Sequence, residues 1–299
     1  GHDGHMAIVL GIAEYFSKNR NSFGGIIYFI FSPAEEDGAG CNEMLKNDFF
    51  NSLGIQEAYA LHNWPDLKVG QIGISEGVIM AGDDNFCIRI IGRGGHGAMP
   101  EHAINPNNYI GRIIKKLKEI ANRNKVILTP TGINGGTAFN VIPDLVTIKG
   151  TFRYLTKETK EKVLLELKNI KIEGVVIETQ IIDGYIPTIN NKECAKYCKK
   201  VVRDMIGTEL IKITRPSMAT EDFSYLLEKI KGCYVWLGTG DPEHLHKLHS
   251  NNFDFNDKVL DIGFNYFRNL VLNRLPIKSF KNQPIFKNNL IFLGFIQLA

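Results

Sequence analysis

Long apolar runs are missing from this chain. The two longest, Ile26 to Phe31 and a stretch near Leu290 to Phe295, fall far short of the roughly 20 residues that a membrane-spanning helix needs. No membrane partner is expected. A surplus of one charge is missing as well: 35 Lys and Arg face 32 Asp and Glu, a net charge of +3, so no nucleic-acid surface is expected either. Cysteine is scarce and unpatterned. Cys41, Cys87, Cys194, Cys198 and Cys233 are odd in number and have no framework spacing. That argues against a secreted disulfide scaffold and for reduced thiols in the cytoplasm. No initiator Met and no signal peptide stand at the front. The true start is expected to lie upstream, so the missing signal carries little weight.

What is present is an ordinary globular balance, with 44% apolar and 22% charged residues. The 299 residues suffice for one large domain or two modest ones. Residues 5–20 suggest a helix, because Ile8, Ile12 and Phe16 share a face at four-residue spacing. Ile26 to Phe31 suggests a strand buried on both faces, ending at Ser32-Pro33 just before Glu35-Glu36. Cys41 to Phe50 suggests a helix, and Ala58 to His62 a short strand that ends in a histidine. Polar residues thus gather where strands end, the edge at which open α/β sheets bind ligands.

After Gly82 the texture changes. Phe86 to Ile91 alternates as a half-buried strand does, and Gly92 to Gly97 is a glycine-dense turn. Pro106 opens a helix with a stripe of Ile110, Ile113, Ile114, Leu117 and Ile120. Val146 to Phe152 alternates again, Lys157 to Ile170 suggests an amphipathic helix, and Val175 to Ile181 a last strand. Two β-α-β halves in about 100 residues suggest a small two-layer α+β insertion. From about Pro187 the α/β texture returns: helices over Glu193–Met205 and Asp222–Ile230, a strand over Tyr234–Leu237, and a closing helix striped by Leu260, Phe264, Phe267 and Val271. The expected division is therefore 1–82 and 187–275 for a main domain, 83–186 for an inserted one, and 276–299 for a tail of unknown role.

A hydrolytic metal site needs three or four N, O or S ligands, an open position for water and a nearby base. Adjacent glutamates after a strand suit two of those tasks, one carboxylate on metal and its neighbour as proton acceptor. His2, His62 and His249 can supply neutral imidazoles. Each feature alone has a plainer explanation, since a lone histidine is most often a surface or satisfied core residue and Glu35-Glu36 could merely favour a helix N-terminus. Cys194 and Cys198, one helical turn apart, are expected to be helix packing.

These residues also carry a resemblance. Gly1-His2-Asp3-Gly4-His5-Met6-Ala7 resembles the Cys-Gly-His-Asp-Gly-His-(Thr/Met)-Ala signature of the amidohydrolase branch of the M20 metallopeptidase family. The likeness continues through Pro33-Ala34-Glu35-Glu36-Asp37-Gly38, Leu61-His62, Gly94-Gly95-His96-Gly97-Ala98-Met99-Pro100, Phe139-Asn140-Val141-Ile142-Pro143, Gly150-Thr151-Phe152-Arg153, Glu221-Asp222-Phe223 and Leu248-His249-Ser250. Single blocks are weak, but their ordered series over residues 1–272 is specific. The resemblance implies an α/β, zinc-peptidase-like catalytic domain with a mixed central sheet, interrupted by a smaller ferredoxin-like lid and dimerisation domain. It implies His2, Glu36, His62 and His249 as metal ligands, two divalent ions (Zn or Mn), Glu35 as general base, and His96 polarising the scissile carbonyl, with the partner subunit's active site of a homodimer as one place for it to act. Asn140 and Arg153 would hold substrate polar groups, the guanidinium taking a carboxylate bidentately.

The implied reaction is hydrolysis of N-acyl amino acids, acetyl-, benzoyl- or similar, to a carboxylate and a free amino acid. The branch includes N-acyl-amino-acid amidohydrolases, hippurate hydrolases and auxin-conjugate hydrolases. Two alternatives stand beside it: a dipeptidase or deacetylase of the same superfamily, and an inactive remnant lacking the Cys ligand that would precede Gly1.

Overall fold

The computed structural model of the chain describes residues 1–38, 40–212, 215–277 and 296–298. Its helices are α1 (His2–Lys18), α2 (Glu35–Gly38), α3 (Gly40–Met44), α4 (Asp48–Ser52), α5 (Ile110–Asn124), α6 (Lys157–Lys168), α7 (Lys192–Ile206), α8 (Phe223–Lys229) and α9 (Leu260–Arg274). The first strands are β1 (Phe31–Pro33), β2 (Ala58–Lys68), β3 (Ile72–Gly73), β4 (Val78–Met80), β5 (Gly82–Ile91) and β6 (Gly95–His96). They are followed by β7 (Ile127–Asn134), β8 (Val141–Ile142), β9 (Leu145–Tyr154) and β10 (Val176–Asp183). Last come β11 (Thr188–Ile189), β12 (Ile211–Lys212), β13 (Gly232–Gly240) and β14 (Ile296–Leu298). No helix among the described residues is long and apolar enough to cross a membrane.

The chain divides into two compact units. The first joins Gly1–Ile79, Thr188–Ser217 and Glu221–Ala299, and the second joins Met80–Pro187 with Met218–Thr220. The first unit is built on a mixed sheet of order β12-β3-β13-β2, in which β13 runs parallel to β2 and antiparallel to β3. β13 is buried along nearly its whole length, so it can be apolar on both faces. Its Cys233, Val235 and Leu237 join Tyr59 and Leu61 of β2 in one core. Ile8, Val9, Ile12 and Phe16 of α1 close that core, as do Cys194, Cys198 and Val202 of α7 and Tyr266, Phe267 and Leu270 of α9. Cys194 and Cys198 are thus packing residues, as the sequence suggested. The other face of β13 turns Tyr234 towards Phe223 of α8, their rings 5.8 Å apart.

The second unit is a four-stranded sheet of order β10-β5-β9-β7, with every neighbouring pair antiparallel. In chain order its elements run β5, α5, β7, β9, α6, β10. This is the split β-α-β arrangement, with two helices laid on one face. Ile113, Leu117 and Ile120 of α5 and Val163 and Leu167 of α6 meet Phe86, Ile88, Ile90, Val146, Ile148 and Phe152 of the sheet. Period 3.6 on the helices and period 2 on the strands place these residues on facing surfaces.

Three expectations change. Ile26 to Phe31 is not a buried strand: only Phe31–Pro33 is paired, to β14, and the residues before it have no regular secondary structure, with Ile26 exposed and Ile27 to Ile30 half-buried. No other described strand offers Ile26–Ile30 a ladder, so alternate residues Ile27, Phe29 and Phe31 only pack against the core. The single helix expected over Cys41–Phe50 is two short ones, because the Asn47 side chain accepts from the N–H groups of Phe49 and Phe50 and starts a new helix there. β2 also does not end at His62 but runs on to Lys68. Most of the tail from Pro276 lies outside the described residues.

Candidate metal centre

Four elements of the first unit bring the histidines and acids together. Gly1 is the N-cap of α1, so His2 stands in its first turn. Ala34, held at a φ of 55°, turns the chain sharply from β1 into α2, whose first two residues are Glu35 and Glu36. His62 comes from β2, and His249 comes from the loop after β13, itself in the left-handed region at φ 62°. Two non-glycine residues in that sparsely populated region flank one site, a placement typical of functional loops.

His2 Nε2 lies 3.9 Å from Glu36 Oε1, and His249 Nε2 lies 3.8 Å from the same oxygen. The rings of His2 and His62 are 5.7 Å apart, edge to face. Donor atoms of His2, Glu35 and Glu36 all fall within 4.8 Å of one another, and so do those of His2, His5 and His62. Glu36 and His249 are open to solvent, whereas Glu35 is only 7% exposed.

Charge in this cluster is unbalanced. Burial, helped by the nearby Glu221, Glu36 and Asp222 carboxyls, pushes Glu35 up to about 9. Asp222 is fully buried and pushed up to about 6 by burial, although its Oδ2 accepts from the Cys41 backbone N–H at 2.9 Å. Burial drives the His62 imidazole down to about 4, so it is neutral at physiological pH. Its Nδ1 lies 2.8 Å from the Asn63 carbonyl oxygen. A carbonyl only accepts, so Nδ1 carries the proton and Nε2 keeps its lone pair.

This donor set fits a divalent cation. Neutral imidazole nitrogens and carboxylate oxygens suit Zn or Mn. Two ligands on one ion are roughly 3.3 Å apart at the tetrahedral angle and up to about 4.2 Å apart when opposed, which brackets the His2–Glu36 and His249–Glu36 spacings. A dication would also offset the excess of buried carboxyls. Asp241, Glu243 and His244 form another compact group. Asp241 is already taken up by His244, Asn256 and Lys258, at 2.7, 2.9 and 3.1 Å.

The remaining candidates lie in the second unit. His96 pairs with Val141 across β6 and β8, and the Gly97 N–H donates to the Asn140 carbonyl at 2.7 Å, so His96 and Asn140 share one exposed turn. That turn is fastened to Asp144, which accepts from Gly92 N–H and Gly94 N–H, beside the first residue of β9. Arg153 is not with them. It stands at the other end of β9, eight residues or roughly 26 Å along the strand, where Nη1 is 3.3 Å from Asp83 Oδ2.

The peptidase family M20/M25/M40 pattern matches residues 1–273. The chain belongs to this family. It is 32% identical to an N-acetylcysteine deacetylase of Bacillus subtilis (strain 168), over 91% of this chain and 72% of that one. It is 33% identical to a hippurate hydrolase of Campylobacter jejuni, over 92% and 73%. Among solved structures it resembles a dinuclear metal-binding M20 peptidase of Bacillus subtilis, with 29% identity, TM-score 0.78 and coverage of 92% and 72%. Membership makes the chain part of a hydrolase family that depends on divalent metal, with the mixed α/β architecture described above.

The sequence alone gave no role to several residues that the M20 fold places at this centre. Glu221 and Tyr234 are buried beside Glu35, and Asn63 fixes the His62 ring. Glu221 and Asp222 were legible as two adjacent acids opening a short helix and as part of the Glu221-Asp222-Phe223 block, but neither signal assigned them a role. Asn63 had none, because its backbone forms the contact.

Proposed function

We propose that this M20 member hydrolyses the amide bond of N-acyl amino acids, with His2, Glu36, His62 and His249 holding two divalent ions, Zn or Mn, and Glu35 as general base. The observation that carries this reading is the approach of His2 and His249 to one Glu36 oxygen, with His62 beside His2 and the buried Glu35 carboxyl grouped with His2 and Glu36. Bound divalent metal supplies Lewis acidity to the scissile carbonyl and to water. Glu35 takes the proton from the attacking water and returns it to the leaving nitrogen, so acid and amine part with protons balanced. Positive charge beside Glu35 favours the carboxylate form that this role needs. His96 donates to the developing oxyanion, and Asn140, in the same turn, orients substrate. Arg153, ion-paired with Asp83, serves substrate carboxylate only if that pair opens. The second unit acts as lid and homodimer contact, and five free thiols suit the cytoplasm.

The names of the two relatives point to acetyl and benzoyl acyl groups as the first to assay. The test is turnover of acetyl- and benzoyl-amino acids with added Mn or Zn, alongside elemental analysis of the purified chain. Glu35→Gln is expected to keep its metal and lose activity by about 10²- to 10⁴-fold. Undiminished turnover in that variant, or a chain that takes up no metal, would overturn the reading.

A further inference from the structure

His5 lies beside His2 and His62, its ring 5.6 and 4.5 Å from theirs, and is 2% exposed. By spacing alone it could be a third imidazole on the metal. Its hydrogen bonds say otherwise. The Asn63 backbone N–H donates to His5 Nε2 at 2.9 Å. The direction of a backbone hydrogen is fixed by the peptide plane, so Nε2 must be the acceptor and its one lone pair is used. Asn63 Oδ1 lies 2.8 Å from the same nitrogen, while Asn63 Nδ2 is buried without a partner among the described residues. A half-turn of that amide exchanges the two atoms and replaces an oxygen facing a lone pair with a donor.

Asn63 is therefore clamped on both sides by imidazoles. Its N–H goes to His5 Nε2 and its carbonyl accepts from His62 Nδ1–H at 2.8 Å. The topology explains why these groups are free for the purpose. In the order β12-β3-β13-β2, β2 is the edge strand among the described residues, so its outward backbone groups have no neighbouring ladder. Alternation along β2 sends the His62 and Asn63 side chains to opposite faces, so one residue can bind α1 while its neighbour looks into the site.

We propose that His5 is a positioning residue for the metal centre: through the Asn63 backbone it holds the His62 ring in the Nδ1–H tautomer, with Nε2 presented to the cation. This rests on the reading of His62 as a ligand. His5→Phe keeps an aromatic ring in the buried space and removes the acceptor. His5→Gln restores an acceptor in its carbonyl oxygen. Hydrogen-bonded partners of ligating histidines contribute about 10- to 100-fold to metal affinity.

The experiment uses the full chain. In the metal-free state, ¹⁵N–¹H correlation spectra of the histidine side chains report the tautomer of His62. Cobalt titration, followed by its visible absorption, reports affinity. Wild type is expected to show His62 protonated at Nδ1 and a nitrogen–nitrogen coupling across the Asn63 N–H···His5 Nε2 bond. His5→Phe should mix the tautomers and weaken cobalt binding about 10- to 100-fold, and His5→Gln should recover most of the loss. The proposal falls if the coupling is absent from wild type, a result that needs no variant to fold. It also falls if His5→Phe leaves both tautomer and affinity unchanged, and in that case the metal reading survives. If wild type binds no cobalt but the tautomer still shifts in His5→Phe, positioning stands and the metal reading fails.

Discussion

Tyr234 gives its hydroxyl hydrogen to Glu221 Oε2 across 2.6 Å, inside the first unit and with neither residue more than 2% exposed. The other oxygen of Glu221 accepts from the Phe223 N–H at 3.2 Å. Glu221 is thus held beside Glu35, where it adds to the burial that raises the Glu35 carboxyl. Tyr234→Phe removes one donor from a buried carboxyl oxygen. The expected cost is about 1–3 kcal/mol, measured by urea unfolding. A variant as stable as wild type would show that water replaces the hydroxyl.

Divalent metal should stabilise the folded chain as well as activate it. At a hundredfold excess over the dissociation constant, one bound ion adds about 2.7 kcal/mol. Thermal melts with Zn or Mn, then with excess chelator, should differ by several degrees. His2→Ala or His62→Ala should shrink that difference, because each removes an imidazole from the cluster. Arg153→Ala should leave it intact, since that residue is ion-paired to Asp83 in the other unit.

An acid-labile ionic cluster sits at the start of β2. Glu57 is 1% exposed, donated to by Tyr59 Oη at 2.7 Å, Lys231 Nζ at 3.0 Å and Arg274 Nε at 2.8 Å. Burial alone would raise its carboxyl, but the Arg274, Tyr59 and Lys231 hydrogen bonds outweigh it and leave it below the ordinary value of 4.5. A lowered carboxyl contributes stability that is fully present above the unfolded value and is lost as pH falls through the folded one. Glu57→Gln is therefore expected to cost about 2 kcal/mol at neutral pH, the scale of hydrogen bonds to a charged group, and to flatten the acid side of the stability–pH curve. Unfolding midpoints between pH 3 and 7, for wild type and variant, decide it; parallel curves would assign the acid loss to other groups.

The contrast between what sequence disclosed and what it hid follows from where each signal is stored. The stripe on α5 and the alternation of β5 and β9 are local, and each element buries the face its pattern predicts. An α/β texture interrupted by a small two-layer α+β insertion followed from those patterns; the antiparallel pairing of the inserted sheet did not. Ile26 to Phe31 carried the composition of a buried strand, but a ladder needs a neighbour, and composition is silent on neighbours. The break at Asn47 was legible in hindsight, since asparagine caps helices more readily than it sits inside them. At the candidate site, spacing could not join His2 to His249. Only the ordered series of family motifs did so, and the fold then brought both to the same Glu36 oxygen. The clamp at Asn63 uses its backbone N–H and carbonyl, which any residue but proline at position 63 could have supplied.

Helix α1 carries the first candidate ligand, His2, and also His5, the proposed support of His62, and two of its glycines bear on that turn differently. A Cβ at Gly4 would come within 2.3–2.5 Å of three ring atoms of Phe255, while one at Gly11 would meet Phe264 at 3.5 Å. Gly4 faces the loop that follows β13, so Phe255, which also stands edge-on to His5 at 6.2 Å, would have to move. Gly4→Ala should cost about 1–3 kcal/mol through overpacking and weaken metal binding by shifting the first turn of α1. Gly11→Ala fits in ordinary contact and should add about 0.5–1 kcal/mol of stability from helix propensity, with metal affinity unchanged. Urea midpoints and cobalt titrations on the two variants check both halves. If Gly4→Ala proves neutral in both measurements, Phe255 yields freely, and the close approach of α1 to that loop does not position His2.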